Sequence, residues 1–149
     1  RIVYHFGKFS DPSTNTWGTT GYGDYLRFDL ELVDEAGNDR LSRVYYRPGD
    51  RKLCIKTTTV EQDVIATLTY GLAYWVWHEL IVDVDLTAGK YIQIMLDGKV
   101  YDVSAKTLYV ASTSYQMSGL YKVGIMNAVS QTAKEVFFDD CRVYHELGT

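Results

Sequence analysis

The sequence is poor in the residues that mark several other kinds of protein. Its 149 residues include only two prolines, two cysteines and three histidines. Two cysteines without metal-ligand spacing exclude both a multi-disulfide framework and a cysteine-rich zinc site. A chain of this length can bury a core that needs no covalent staple. We therefore expect Cys54 and Cys141 to be free thiols, with a single disulfide as the alternative.

The charge balance and the uncharged stretches exclude two further classes. Lys and Arg number 15 against 19 Asp and Glu, a formal net charge of −4, so the basic footprint of a nucleic-acid binder is missing. The uncharged stretches at residues 64–77 and 107–121 are shorter than the roughly 20 residues that a membrane-spanning helix needs. We expect neither nucleic-acid binding nor membrane insertion.

Length and composition predict one globular domain over residues 1–149, since 46% of the residues are hydrophobic and 23% are charged. The chain begins at Arg1 and carries no recognisable signal peptide. We therefore expect a piece of a larger protein, from which any targeting signal has been lost. A location outside the cell or at the cell surface is expected from the leading functional hypothesis alone. The oligomeric state is left open.

Strand patterns fill the chain. Thirteen tyrosines and many Val, Ile and Thr favour strands, and apolar residues alternate with polar ones at residues 26–32, 80–86 and 92–96. This alternation predicts one buried and one wet face for each strand. The residues predicted to be buried between two sheets are Leu30, Val82, Val84, Ile92 and Ile94.

Turn chemistry separates these patterns. Asp97-Gly98 is typical of a type I′ hairpin turn, and the polar residues 11–24 are predicted to form a long loop. Further strands are predicted at residues 2–9, 41–47, 53–59, 64–70, 99–103, 120–127 and 135–144. About ten short strands without a convincing helix predict an all-β fold. We expect an antiparallel sandwich of two sheets.

Two segments carry a resemblance to a known superfamily. Residues 77–86 open with Trp77-His78 and lead to Leu96-Asp97-Gly98, and residues 136–143 read Val-Phe-Phe-Asp-Asp-Cys-Arg-Val. This part of the chain resembles the concanavalin A-like, or laminin-G-like, jelly-roll superfamily. The resemblance implies a jelly roll, a fold that hosts lectins, carbohydrate-binding modules, adhesion domains, glycoside hydrolases and polysaccharide lyases.

A second, partial resemblance is to jelly-roll alginate lyases. Residues 27–30 (Arg-Phe-Asp-Leu), 93–95 (Gln-Ile-Met) and 121–127 are similar to that family's three strand motifs and follow the same order. Met95 stands where the family has His, and Met126 where it has Tyr. A thioether can neither donate nor accept the protons that β-elimination must move. The resemblance thus implies a groove that binds without cutting.

Aromatic and polar residues on the strands and in one loop are candidates for sugar binding. Aromatic faces stack on the C–H faces of sugars, and polar side chains orient the hydroxyls. If the strands follow jelly-roll order, we expect the polar faces around Arg27, Trp77, Gln93 and Lys122 to lie together on one sheet. If Trp77 is a core residue, the site is expected at Trp17 and Tyr22. The full candidate set is Arg27, Trp77, Tyr91, Gln93, Lys122, Trp17, Tyr22 and Tyr46.

The remaining ionisable candidates each have two interpretations. His78 is in phase with apolar neighbours and is expected to be a hydrogen-bonded histidine at the core edge. Asp83 and Asp85 share a strand face at roughly the spacing of glycosidase carboxylates, although alternate acidic residues also mark any wet face. Asp139 is in phase with Phe137 and would point inward. It is therefore a hydrogen-bonded carboxylate or a weak candidate ligand for a structural Ca²⁺, and no other cofactor is expected.

The leading functional hypothesis is a non-catalytic carbohydrate-binding or adhesion module whose partner is a glycan or polysaccharide. One alternative is a polysaccharide lyase or glycoside hydrolase on the same fold. A second alternative is a structural accessory domain whose ligand is unknown. An enzyme needs a close acid and base pair in its groove, whereas a binding module needs exposed aromatic platforms.

Overall fold

A computed structural model describes residues 1–9, 25–34, 37–111, 120–126 and 136–144, and for residues 111 and 120–126 it describes the backbone alone. Every regular element in these ranges is a β-strand. None of the described residues belongs to a helix of sufficient length and hydropathy to span a membrane. The strands are β1 (Ile2–Gly7), β2 (Tyr25–Val33), β3 (Asp39–Arg47), β4 (Lys52–Ile55), β5 (Asp63–Thr67), β6 (Trp77–Asp85), β7 (Lys90–Leu96), β8 (Lys99–Asp102), β9 (Tyr109–Ala111), β10 (Leu120–Met126) and β11 (Phe137–Val143).

The strands form two antiparallel sheets. Sheet A has the order β11-β1-β6-β7-β8, and sheet B has the order β10-β2-β3-β4-β5 with the short β9 also paired to β3. The predicted two-sheet antiparallel β-sandwich is confirmed, while the jelly-roll order of its strands stays a prediction. The sequence patterns found every strand except β9, whose three residues are too few for alternation to show.

The core lies between the sheets and is rich in aromatic rings. Leu30, Val82 and Ile94 are buried as predicted, with 2%, 1% and 0% of their surface exposed. Val84 is partly buried and packs against the same core. The Phe28 ring of sheet B lies among aromatic rings of β1, and its centroid is 4.7 Å from that of Phe6.

Ile92 was predicted to be buried, and this prediction is wrong, because 48% of its surface is exposed. The cause is a β-bulge between β6 and β7. Asp83 pairs with Gln93 but Val84 pairs with Tyr91, so Ile92 is the extra residue. A bulge shifts the alternation of its strand. Tyr91 therefore turns into the core in place of Ile92.

The hairpin between β7 and β8 and the two cysteines agree with the sequence. Asp97 and Gly98 have φ angles of 50° and 79°, as a type I′ turn requires. Both cysteines are free, and they lie in different sheets. Cys54 is buried on β4, whereas Cys141 is exposed on β11.

Candidate functional site

Exposed aromatic side chains cluster where the chain leaves sheet B and enters sheet A. Tyr70 is 95% exposed, Trp75 is 64% exposed and Trp77, the first residue of β6, is 46% exposed. The rings of Tyr74 and Trp75 meet edge to face, with centroids 4.7 Å apart. We call residues 70–77 the aromatic loop. Three exposed aromatic side chains so near one another in the sequence offer candidate platforms on which a ligand could stack.

The aromatic loop is anchored from beneath by sheet B. The Leu72 amide donates to the Tyr46 hydroxyl at 2.8 Å, and the guanidinium of Arg51 donates to the Thr69 carbonyl at 2.6 Å. Gly71 has a φ of +69°, and a Cβ there would lie 3.2 Å from the Tyr46 hydroxyl. These contacts fix the path of the backbone that carries the exposed rings.

Strand β1 packs closely against the end of the aromatic loop. Gly7 pairs with Trp77, and a Cβ at Gly7 would lie only 2.3 Å from the Val76 carbonyl oxygen. The next residue, Lys8, donates its backbone amide to that carbonyl at 3.4 Å. Its ammonium group lies over the Trp77 ring, 5.7 Å from the centroid. A cation thus stands beside the exposed indole.

Polar groups continue from Trp77 along the outer face of sheet A. Glu79 is two residues further along β6, and its carboxylate lies 3.0 Å from Nε2 of His5 on β1. Residues two apart on a strand share a face. Trp77 therefore has an ammonium, an imidazole and a carboxylate close by, all of which can hydrogen-bond hydroxyl groups.

A second group of polar side chains occupies the outer face of sheet B. The side chain of Asp29 is only 3% exposed. Its carboxylate accepts hydrogen bonds from Nε of Arg43 at 2.8 Å and from Nη2 at 2.9 Å. Arg27 joins from the same strand, with Nε 3.0 Å from Oδ2. We call these three residues the Asp29 cluster. Burial opposes the charged form of Arg43, but the hydrogen bonds to Asp29 and the charge of that carboxylate outweigh burial and raise the pKa of Arg43.

Tyr45 and Glu61 form a close pair beside this cluster. The Tyr45 hydroxyl donates to the Glu61 carboxylate at 2.5 Å, and Lys56 makes an ion pair with the same carboxylate. Burial and the bond to Glu61 raise the pKa of Tyr45. Burial opposes ionisation of Glu61, but hydrogen bonds from Lys56 and Tyr45 outweigh it and lower the pKa of that carboxyl. Since Tyr45 has no exposed surface, this pair is not arranged to exchange protons with a bound substrate.

The prediction that four polar residues share one sheet is wrong. Arg27 lies on β2 and Lys122 on its neighbour β10 in sheet B, where Lys122 pairs with Asp29. Trp77 and Gln93 lie on β6 and β7 in sheet A. Gln93 pairs with Asp83, six residues from Trp77, or about 20 Å along the strand. The order of strands in the sheets, which alternation does not determine, separates these residues.

Two of the predicted tyrosines are internal. Tyr91 is 1% exposed, and its hydroxyl accepts the Arg43 amide at 3.0 Å and donates to the Lys56 carbonyl at 3.0 Å. Tyr46 is 2% exposed and holds the aromatic loop. Both are removed from the candidate set because no ligand reaches them. Trp17 and Tyr22 lie outside the described residues.

Of the two carboxylates considered for catalysis, Asp83 is held by hydrogen bonds and Asp85 is exposed. Asp83 accepts Arg1 at 2.9 and 3.0 Å and Gln93 at 2.8 Å. The bond to Arg1 is the main reason that the pKa of Asp83 is lowered, which is the wrong direction for a catalytic acid. Asp85 is exposed and caps the turn after β6 by accepting the Ala88 amide at 2.8 Å.

Asp139 does not point inward, which corrects the expectation from its phase. His5 pairs with Asp140 and Phe6 with Phe138, so Asp139 is the extra residue of a bulge in β11 and is exposed. Across the described ranges, no group of three or more His, Cys, Asp or Glu residues is placed to hold a metal ion.

A cleft of about 580 Å³ opens at the other end of the sandwich, near Arg1 and Asp83. Its apolar lining includes Leu32, Val84 and the bulged Ile92. The exposed side chain of Ile92 therefore lies in this cleft.

Sequence reasoning picked Trp77 but left out its neighbours in the aromatic loop. The strand predicted at residues 64–70 takes in Tyr70, and Trp75 follows it in the same uncharged run, at residues 64–77. The signal that could have revealed the loop is Gly71, which directly follows the strand pattern. Four large hydrophobic residues then occur in succession at residues 74–77. Comparison with protein families, curated proteins and solved structures yields no match for this chain.

Proposed function

We propose that this chain is a non-catalytic carbohydrate-binding module whose glycan ligand stacks on the aromatic loop. The observation that carries the proposal is the exposure of Tyr70, Trp75 and Trp77, at 95%, 64% and 46%, on a backbone that is fixed by hydrogen bonds. Exposed rings on a fixed frame lose little conformational freedom when they bind, which favours association.

The chemistry around Trp77 matches what a sugar offers. An indole face supplies contact area for the C–H groups of a pyranose ring. The Lys8 ammonium can donate a hydrogen bond to a sugar hydroxyl, and the Glu79 carboxylate can accept one. The His5 imidazole can do either. Hydrogen bonds to charged groups are stronger than neutral ones and set orientation.

Two observations favour binding over catalysis. The lyase-like residues Arg27 and Gln93 lie in different sheets, so they do not form the groove of that family. In the close pair of Tyr45 and Glu61, the tyrosine is buried. The raised pKa of Tyr45 keeps its hydroxyl protonated, and the lowered pKa of Glu61 keeps its carboxylate ionised. An extracellular or cell-surface location, where polysaccharides are found, belongs to the same proposal.

The direct test is a glycan array followed by calorimetry on the best ligand. Sugars exchange water hydrogen bonds for protein ones with little net gain, so we expect dissociation constants from micromolar to millimolar, roughly −8 to −4 kcal/mol. Trp75→Ala and Trp77→Ala should each weaken binding by about 1–3 kcal/mol with unchanged circular dichroism.

Tyr144 provides the matched control. It is 47% exposed, close to the value for Trp77, but it lies beside Arg1 at the opposite end of β1. Tyr144→Ala should bind as the wild type does. Equal binding by all three variants would remove the aromatic loop from the proposal. Release of unsaturated uronates or reducing ends from alginate, pectin or β-glucans would replace the module by an enzyme.

A further inference from the structure

His78 lies beneath the aromatic loop with both ring nitrogens against oxygen atoms. Nε2 is 2.9 Å from the carbonyl oxygen of Ala73, inside the loop, and Nδ1 is 2.7 Å from Oδ2 of Asp97 in the β7–β8 turn. The residue is 6% exposed. A carbonyl oxygen and an ionised carboxylate are both acceptors only. Each ring nitrogen of His78 therefore faces an acceptor.

The number of ring protons decides how many of these bonds form. A neutral imidazole has one N–H, so it serves one acceptor and turns a lone pair towards the other. An imidazolium has two N–H groups and donates to both. The bonds to Ala73 and Asp97 coexist only when His78 is charged.

Asp97 is held more firmly than Ala73, so the bond to the loop is the one that gives way. The loop then keeps its anchors at Thr69, Leu72 and Val76. Oδ1 of Asp97 accepts the Glu79 amide at 3.0 Å, and the Asp97 amide donates to the Glu79 carbonyl at 2.9 Å. The carboxylate is thus held against β6. Ala73, in contrast, lies in the loop that carries the exposed rings.

The other described neighbours of the ring are apolar. Strand β1 presents Phe6, with centroids 5.5 Å apart, and the residues after it present Phe9 at 6.3 Å. Glu79, the next residue on β6, pairs with His5, and Lys8 lies over Trp77. Within the part of the chain that the structure describes, Asp97 is the ionisable group that contacts the ring.

We propose that His78 is a positioning residue whose charged form holds the aromatic loop in its binding conformation, so that glycan affinity falls as His78 loses its proton. This inference rests on the proposed carbohydrate-binding function. Histidine is the side chain that ordinarily changes charge between about pH 5 and pH 8. Affinity should therefore be higher when the ring carries both protons.

Asp97→Asn gives a variant that separates charge from position. The amide oxygen of the new side chain can still accept the Glu79 amide, while its NH₂ group replaces Oδ2 and donates to Nδ1 of a neutral His78. Nε2–H then serves Ala73 without a charge on the ring. Asparagine also tolerates the positive φ of this turn position. This variant should keep the loop anchored at both pH values.

The experiment measures glycan affinity by calorimetry at about pH 5.5 and about pH 8.5. The wild type should lose about five- to tenfold in affinity at the higher pH, the equivalent of one net hydrogen bond. Asp97→Asn should lose less than about twofold. His5→Gln tests the other histidine near Trp77. It should lower the affinity at both pH values, because His5 is one of the proposed sugar-binding groups, but the ratio between the two affinities should stay that of the wild type. Equal wild-type affinity at both pH values, or an unchanged difference in Asp97→Asn, overturns the proposal.

A second measurement needs no glycan. Ring nitrogen chemical shifts report the protonation of His78, and amide exchange over residues 70–77 reports the loop. Exchange should quicken as His78 deprotonates in the wild type and stay constant in Asp97→Asn. If no glycan binds at any pH but this pattern appears, the positioning role stands and the carbohydrate proposal fails. Exchange that does not follow the ring nitrogens overturns the positioning role.

Discussion

The carboxylate of Asp29 and the guanidinium of Arg43 face each other across β2 and β3 with two parallel hydrogen bonds, at 2.8 and 2.9 Å. Arg27 adds a third contact at 3.0 Å. Because the Asp29 side chain is only 3% exposed, solvent screens these charges weakly. This ion pair is a structural element of sheet B.

Asp29→Asn should therefore destabilise the protein by about 3 kcal/mol, because it takes the counter-charge from Arg27 and leaves Arg43 with only its longer contact to Glu61, at 3.5 Å. Urea unfolding followed by circular dichroism measures the effect. Glu31→Gln, two positions along the same strand, is the matched control and should change the free energy of unfolding by less than about 0.5 kcal/mol. Similar stability for the two variants would show that the ion pair contributes nothing.

Tyr91→Phe tests the link that one phenol makes between the sheets. The change removes the acceptor of the Arg43 amide and leaves that buried donor unsatisfied. The expected loss is about 1–3 kcal/mol in the free energy of unfolding. Tyr70→Phe, at a side chain that is almost fully in solvent, should be neutral. A neutral Tyr91→Phe would show that water replaces the hydroxyl.

Alkaline pH should unfold the protein through its buried phenols. Burial raises the pKa of Tyr25, Tyr45, Tyr46 and Tyr91 above the ordinary value of 10.0. Their stabilising contribution is complete below about pH 10 and is lost as the pH rises towards the folded-state values. In a spectrophotometric titration, exposed tyrosines should ionise first and these four together with the loss of β-sheet signal.

Tyr45→Phe removes one of the groups in this linkage. The free energy of unfolding should then fall less steeply with pH above about pH 10 than in the wild type, whereas Tyr70→Phe should leave the slope unchanged. Ionisation of every tyrosine in one step near pH 10, with the fold intact, would contradict the burial of these phenols.

The two thiols should react at very different rates. Cys141 is exposed, whereas Cys54 has no exposed surface, and burial raises the pKa of the Cys54 thiol to about 11. Since the thiolate is the reactive form, a thiol reagent should label one residue in the folded protein and two in urea. Cys141→Ser should abolish the fast reaction. Fast labelling of both residues in the folded chain would contradict the packing around β4.

Alternation along a strand predicted the buried face well where pairing is regular. Leu30, Val82 and Ile94 are buried because every second residue of a paired strand faces the core. The same reasoning failed at Ile92 and Asp139. Each is the extra residue of a bulge, and a bulge depends on the register with a partner strand that the local pattern does not contain.

The candidate site shows a similar division. The sequence left open whether Trp77 is exposed or a core residue, and it is 46% exposed. The Asp97-Gly98 turn, in contrast, followed from turn chemistry. The grouping of Arg27 with Trp77 failed, because it depended on which strands become neighbours across long stretches of chain. The two acceptors around His78 also come from separate segments, the aromatic loop and the β7–β8 turn, which no spacing in the sequence brings together.

The place of β1 in sheet A sets an order of events during synthesis. This strand lies between β6 and β11, and its Ile2 pairs with both Val82 and Val143. During synthesis β1 leaves the ribosome well before either neighbour, because β6 begins only at Trp77 and β11 only at Phe137. Closing such long loops is slow, so we expect the pairing of β1 with β11 to form late, and the apolar face of β1 to stay uncovered on the growing chain until its partners arrive.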